Sequence, residues 1–373
     1  MKAQLVGWFY GSDTALCTEV GHREGQVLVS SEQAGYLLYG PYMTLEPGRY
    51  RVVLTGESEY WTGEERADVA CDKGKRKLLH ADLGKKSRGV WHHIFELTLK
   101  ETCTDLEIRV WVNNLSRIAI SSLKVIASNS QQIGIVVVTY GILPINLVES
   151  IKSQFSVKWY IYHHGSHRLA NGIREMFAGN NAELHLFCGN RGVGKSWNDG
   201  IAHSLLDGNI VTAVINDDVE FNDCGFDNWI SYILESQSDG LFFTNGEEPQ
   251  EDGSSIIRTQ DFACYSLGLD AINRVGSFDE YFVPAYYEDV DYNIRCDKLG
   301  VSFVSDERVN CRHKRSSTLK NNAELAEQAP QFMNRNRKYM IEKWGADFDH
   351  IVVYNKPFND DNNTIFIPFM GLI

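Results

Sequence analysis

None of the eight cysteines of this 373-residue chain (17, 71, 103, 188, 224, 264, 296 and 311) forms a Cys-x-x-Cys pair. That scatter speaks against a zinc ribbon and a dense disulfide framework, and the expectation is buried free thiols. No apolar run approaches the ~20 residues needed to cross a bilayer. The start, Met1-Lys2-Ala3-Gln4-Leu5-Val6-Gly7-Trp8, lacks a secretory core, so a cytoplasmic protein with no transmembrane segment is expected. Basic charge is also scarce: 36 Lys and Arg stand against 49 Asp and Glu, for a net charge of −13. Affinity for phosphate backbones comes chiefly from Lys and Arg, so a nucleic-acid surface is not expected. No internal repeat and no long low-complexity segment is visible.

What is present is enough for two domains, since a single domain usually takes roughly 100 to 200 residues. Residues 1–130 carry 16 basic and 16 acidic groups, leaving 20 and 33 for the remainder, so the whole acidic excess lies in the second part. Residues 1–128 read as short strands between turns: Gln26-Val-Leu-Val-Ser, Gly48-Arg-Tyr-Arg-Val-Val-Leu-Thr-Gly, Trp91-His-His-Ile-Phe-Glu-Leu-Thr-Leu, Leu106-Glu-Ile-Arg-Val-Trp-Val and Ile118-Ala-Ile-Ser-Ser-Leu-Lys-Val-Ile. Alternating polarity and many β-branched and aromatic residues predict an all-β, antiparallel sandwich. In it Trp91 and Trp111 are core residues in the first instance and sugar-stacking rings in the second.

After the polar break Ala127-Ser-Asn-Ser-Gln-Gln132 the pattern becomes α/β, with the second domain over 131–345 and a tail, 346–373, that ends in apolar Ile365-Phe-Ile-Pro-Phe and packs on the domains. Ile133-Gly-Ile-Val-Val-Val-Thr-Tyr is continuously apolar, as for a parallel strand covered on both faces. Helix is expected over 147–155, 196–206 and 320–344, and further strands at 158–162, 183–188, 210–215 and 240–244. In open α/β sheets ligands bind at the carboxyl ends of strands, where Thr139, His163 and Asp217 fall.

Two acidic groups carry the chemistry. In 278–300 the chain sets Glu288, Asp289 and Asp291 beside aromatic residues, and upstream the apolar Val214-Ile215 runs into Asn216-Asp217-Asp218. Crowded carboxylates repel and raise one another's pKa, which suits a metal, a strong cation or a general base. The plain alternatives are a helix whose first turn favours acids for the former group and a capping pair for the latter. A third feature, Gly189-Asn-Arg-Gly-Val-Gly-Lys-Ser196, matches the phosphate-binding loop G-x-x-x-x-G-K-[ST] and would make the protein an NTPase or kinase using Lys195. Against that, the loop follows at least two strand units rather than the first strand, and the Glu288-Asp289 cluster would have no task.

Taken in order, the second part resembles the family 2 glycosyltransferases of the GT-A fold over about residues 131–318. The matching segments are Val136-Val-Val-Thr-Tyr140, Asn190-Arg-Gly-Val-Gly-Lys-Ser-Trp-Asn198-Asp-Gly-Ile201, Asn216-Asp-Asp-Val-Glu220, Ile272-Asn-Arg-Val-Gly-Ser-Phe-Asp-Glu280, Tyr287-Glu-Asp-Val-Asp-Tyr-Asn-Ile-Arg295 and Cys311-Arg-His-Lys-Arg-Ser-Ser-Thr318. The resemblance implies a Rossmann-like α/β GT-A domain and an inverting transfer of a sugar from a nucleotide-sugar donor to a hydroxyl of a glycan or other acceptor, as in polysaccharide biosynthesis. It implies a divalent cation, Mn2+ or Mg2+, on Asp218 and His313, with Asp217 facing the ribose. It places the donor against Thr139, Tyr140, Gly141, His164, Asn190, Lys195, Asn198 and Asn216. Asp289 is then the general base, Glu288 its neighbour on the acceptor side, and Tyr286 and Tyr287 a wall for the acceptor sugar.

The chain departs from the family where many relatives have Asp-Asn-x-Ser after the second strand. Here the sequence is Tyr162-His-His-Gly-Ser166, so the base is not fixed, and His163 or His164 is either a base contact or a turn residue. His313 is likewise a metal ligand or a locally bonded ring. The segment Tyr39-Gly-Pro-Tyr-Met-Thr-Leu-Glu-Pro-Gly-Arg-Tyr-Arg-Val-Val resembles jelly-roll-like sandwich modules akin to carbohydrate-binding modules. A carbohydrate-binding protein without catalysis is therefore the remaining alternative.

Overall fold

The computed structural model describes residues 4–86, 88–165, 167–250, 252–314, 320, 322–344 and 365–373. The chain divides into two compact units, one of Met1–Ser130, Leu206–Gly208 and Phe358–Ile373, the other of Gln131–Leu205 and Asn209–Pro357.

The first unit holds β1 (Gln4–Tyr10), β2 (Gly21–Glu24), β3 (Val27–Ser30), β4 (Gly35–Leu45), β5 (Gly48–Tyr60), β6 (Arg66–Cys71), β7 (Arg76–Asp82), β8 (Gly89–Leu99), β9 (Cys103–Val112) and β10 (Arg117–Ala127). One sheet runs β2-β3-β10-β5-β8 with β1 also on β10, and the other runs β4-β9-β6-β7. Their pairings are antiparallel. Side chains of both sheets meet in one apolar core, Val52, Leu54 and Phe95 from the first with Leu38, Val69 and Ile108 from the second. Trp91 is fully buried and meets Trp61 edge-on at 5.2 Å. Trp111 is half-buried, with the Arg66 guanidinium 4.1 Å over its ring. Five of these strands have no counterpart in the sequence reading. Among them β7 is a charged, half-exposed edge strand, Arg-Lys-Leu-Leu-His-Ala-Asp, whose polarity discourages pairing with other chains and hides its strand character.

The second unit follows the order β11 (Asn129–Tyr140), α1 (Ile145–Ser150), β12 (Ser156–His164), α2 (His167–Met176), β13 (Ala182–Phe187), α3 (Val193–Leu206), β14 (Asn209–Ile215), β15 (Val219–Phe221), α4 (Gly225–Glu235), β16 (Leu241–Pro249), β17 (Ser255–Arg258), β18 (Cys264–Leu267), α5 (Leu269–Arg274), α6 (Glu288–Leu299), β19 (Phe303–His313) and α7 (Ala323–Trp344). The sheet order is β13-β12-β11-β14-β18-β16-β19-β15, with β17 on β16. Strands β11, β12 and β13 are parallel, as the continuous apolar run of β11 predicts for that strand. The sheet as a whole is mixed, because β18 runs antiparallel to both β14 and β16.

One face of β11 packs Ile133, Ile135 and Val137 with Leu147, Ile173 and Trp229 of α1, α2 and α4. The other face receives α3 at very close range: a Cβ on Gly200 would lie 2.4 Å from Val136 Cγ1. Helix α1 stops at Ser150 rather than continuing to 155, because Asp227 of α4 captures the following chain through Ser153 Oγ (2.5 Å) and the Gln154 amide (2.9 Å). Helix α3 begins at Val193, before the expected Ser196, directly after Gly192 with φ +91°. Of the cysteines, 71, 103, 264, 296 and 311 are buried and 17, 188 and 224 are not, and all are free thiols. No helix among the described residues is long and apolar enough to cross a membrane.

Candidate active site

Three neighbouring strands, β12, β11 and β14, end side by side, and their ends carry polar residues where the apolar runs stop. Tyr140 closes β11, His164 closes β12, and β14 delivers Asn216, Asp217 and Asp218. A tight turn holds these acids: the Val219 amide donates to Asn216 O (3.2 Å) and the Asn216 amide to Ala263 O (2.8 Å). The chain then enters β15, where Val219 faces His313 of β19 in antiparallel register. That register places the His313 ring beside the carboxylate of Asp218, with Nε2 3.3 Å from Oδ1.

The other ring nitrogen, Nδ1, lies 3.1 Å from Asp261 Oδ2. Asp261 precedes β18, and since β18 is antiparallel to β14 its amino end shares an edge with the carboxyl end of β14. Gly246 of β16 makes the approach possible, since a Cβ there would lie 2.5 Å from Asp261 Oδ2. Burial alone would lower the pKa of His313, but the hydrogen bonds and charges of Asp218 and Asp261 outweigh it and push it up to about 9.

From the opposite side comes the first turn of α6. Tyr286 and Tyr287 both have positive φ (76° and 78°), which turns the chain sharply into Glu288 and Asp289. Helix α7 fixes this turn: Asn336 Nδ2 donates to Ala285 O (3.0 Å) and Tyr286 O (3.1 Å), and Phe332 lies parallel to the Tyr286 ring with centroids 6.0 Å apart. Asp291 turns away from the chemistry. It is fully buried and binds Arg295 Nε (2.9 Å), Lys343 Nζ (2.7 Å) and Trp344 Nε1 (2.9 Å), so it is structural.

These groups border one cavity of about 380 Å³, lined by Tyr140, His164, Asn190, Asn216, Asp217, Asp218, Asp261, Tyr286, Glu288, Asp289 and His313, with Trp197 and Phe332 among its apolar walls. Burial, then the charge of Asp218, drives the Asp217 carboxyl far above its ordinary pKa, and burial with the charge of Asp289 does the same to Glu288. Asp217 Oδ2 and Glu288 Oε2 are buried without a hydrogen-bond partner among the described residues. His164, bonded to Ser196 Oγ at 2.9 Å, is lowered to about 4, chiefly by burial and then by Arg191 and His163, and is neutral at pH 7.

Five of the expected site residues stand off the cavity. Thr139 is buried behind it, 2.7 Å from His163 Nδ1. Gly141 takes up a left-handed turn (φ +78°) beside Asn322. Lys195 points its ammonium at Glu280 Oε2, 2.9 Å away. Asn198 clamps the backbone of Phe278 through both amide atoms (2.9 and 2.8 Å). Tyr287 caps α6 while Tyr286 alone faces the cavity. The phosphate-loop reading also fails locally: the Gly192 amide binds Asn190 Oδ1 and the Val193 amide binds Pro284 O, both at 2.9 Å, so neither is turned to a phosphate. Residues 315–318 of the last motif, residue 345 and 346–364 of the tail lie outside the described residues.

No family model and no curated protein matches the chain. Among solved structures it is similar to S. aureus TarS 1–349, at 15% identity over 49% of this chain and 60% of that one. It is also similar to the mannosyltransferase PcManGT from Pyrobaculum calidifontis in complex with GDP-Man and Mn2+, at 12% identity over 55% and 64%. A third is GalNAc-T7 with UDP, GalNAc and Mn2+, at 10% identity over 53% and 48%. The TM-score is 0.38 in each case, and the chain spans less than two thirds of each of these proteins. At that level none of them decides what this chain does; the cavity has to.

Proposed function

We propose that the second unit is an inverting, metal-dependent glycosyltransferase that moves a sugar from a nucleotide-sugar donor to a hydroxyl of a glycan or another acceptor. The observation that carries this reading is the convergence of Asp218, His313 and Asp289 on one cavity from different elements. The donor set fits a hard divalent cation such as Mn2+ or Mg2+. Carboxylate oxygens and an imidazole are suitable ligands, and the buried Asp217 Oδ2 lacks a hydrogen-bond partner among the described residues.

Asp218 and His313 would hold the ion, and Asp261 sets the ring of His313 by accepting from Nδ1. Such a cation supplies charge neutralisation to a departing diphosphate. Asp217 is the group for the ribose, and Asn216, Asn190, His164 and Tyr140 border the donor. Asp289 takes the proton of the acceptor hydroxyl as that oxygen attacks the anomeric carbon. The bond from that carbon to the diphosphate oxygen breaks with its electron pair, and attack from the face opposite the leaving group inverts the centre. Glu288, whose carboxyl burial and then the charge of Asp289 push well above its ordinary pKa, lies beside Asp289. Tyr286 walls the acceptor side.

The first unit adds Trp8 and Tyr10, 48% and 45% exposed with ring centroids 5.5 Å apart, and these are surfaces suited to stacking on a sugar. A thermal-shift panel of nucleotide sugars with Mn2+ and Mg2+ tests the reading. One sugar nucleotide stabilising the protein only with metal is the expected result, and stabilisation by ATP with none from any sugar nucleotide would overturn it.

A further inference from the structure

A second polar cluster lies on the edge strand of the same sheet and has no part in the proposed transfer. Glu183 and His185 are two apart on β13, hence on one face, and His203 reaches them from the last turn of α3. Glu183 Oε1 lies 2.9 Å from His185 Nε2 and 3.3 Å from His203 Nδ1. The three ligand atoms lie within 4.8 Å of one another.

Each member is held in place from outside the trio. The His185 ring stacks on Tyr162, with centroids 4.5 Å apart and planes within 10°. The second oxygen of Glu183 meets Lys158 Nζ at 3.3 Å, and the Tyr162 hydroxyl sits 3.0 Å from His203 Nδ1. The side chains of His185, His203 and Glu183 are 26%, 38% and 39% exposed, so an ion reaches them from solvent.

We propose that Glu183, His185 and His203 bind a zinc ion. Ligands about 2.0–2.1 Å from zinc at tetrahedral angles stand roughly 3.3 Å apart, close to the spacings seen here. Two imidazoles and one carboxylate suit zinc better than the harder Mg2+ or Mn2+. The fourth position faces solvent and is left to water. An ion here binds His203 Nδ1, which the Tyr162 hydroxyl now meets, and it ties β13 to the end of α3. Since α3 starts at the cavity, the ion would brace a wall of the candidate site without touching substrate.

The test is a titration of the full chain with Zn2+ alone by calorimetry, in an Asp218→Ala background that disables the cavity ligands. One equivalent of zinc should bind, Mn2+ should not compete at equal concentration, and Co2+ should give the visible absorption of a four-coordinate ion. His203→Ala and, separately, Glu183→Gln in that background should each remove the equivalent and the absorption while circular dichroism stays unchanged. No zinc uptake in the Asp218→Ala protein, or an equivalent that survives both further substitutions, would overturn the proposal.

Discussion

Glu288 and Asp289 are sequence neighbours with different surroundings. Glu288 is buried with an unpartnered oxygen, whereas Asp289 is half-buried and receives the Val290 amide at 2.8 Å. The more exposed acid is the one an acceptor hydroxyl can reach, and so the one proposed as base. Asp289→Asn should lower turnover by about 10²- to 10⁴-fold with little change in donor affinity, as read from steady-state rates beside donor titrations. Normal turnover in that variant would remove Asp289 from the role. Asp261 acts one step further out. Asp261→Asn should raise the Mn2+ concentration giving half-maximal rate by about 10- to 100-fold while the rate at saturating metal recovers, and loss of rate at all metal concentrations would contradict a positioning role. The acids at 217, 218, 288 and 289 were legible because each follows an abrupt change of polarity. Asp261 was not, because only the antiparallel direction of β18 brings the start of that strand to the edge where β14 ends. Lys195 and Asn198 show the reverse error: their types suit a donor, but the helical position of each turns it onto Glu280 or the Phe278 backbone.

Helices α6 and α7 are joined by a buried ionic network that explains why the Glu288 turn is held so firmly. Lys343 Nζ is 2.7 Å from both Asp279 Oδ2 and Asp291 Oδ1, and Tyr339 donates to Asp279 at 2.8 Å. Lys343→Met leaves two buried carboxylates short of a cation and should cost about 3–5 kcal/mol in urea unfolding of the second unit. Burial alone would raise the pKa of Asp279, but the charge and hydrogen bond of Lys343, with the Tyr281 amide and the Tyr339 hydroxyl, hold it below the ordinary value. A carboxyl depressed in the folded state stabilises above its unfolded pKa of ~4, and that contribution is lost as pH falls through the lower folded value. The wild-type transition should therefore weaken with acid below about pH 4, and the Lys343→Met transition should weaken less steeply over the same range. At this scale β11 was readable as a parallel strand from its continuous apolar run. The end of α1 was not, since it depends on Asp227 of a distant helix.

Across the whole molecule, the chain crosses between its two units more than once. The acidic excess of residues beyond 130 serves the second unit, whose cavity alone gathers Asp217, Asp218, Asp261, Glu288 and Asp289. The apolar end of the chain, however, belongs to the first unit. Phe366, Phe369 and Leu372 are buried there, the Phe369 amide donates to His92 Nδ1 at 3.3 Å, and Lys124 Nζ donates to Leu372 O at 2.5 Å. Hydrophobicity announced that this segment packs somewhere, but a run such as Ile365-Phe-Ile-Pro-Phe carries no mark of which core it completes. Removing residues 365–373 exposes the space left by three large apolar side chains, each worth about 1.5–3 kcal/mol when buried. The truncated protein should lose at least about 4 kcal/mol in the first unit, seen as an early transition in calorimetry. The stabilisation of the later transition by sugar nucleotide and metal should persist. If the first unit instead melts where it does in the full chain, the contacts of Phe366, Phe369 and Leu372 contribute little to its stability.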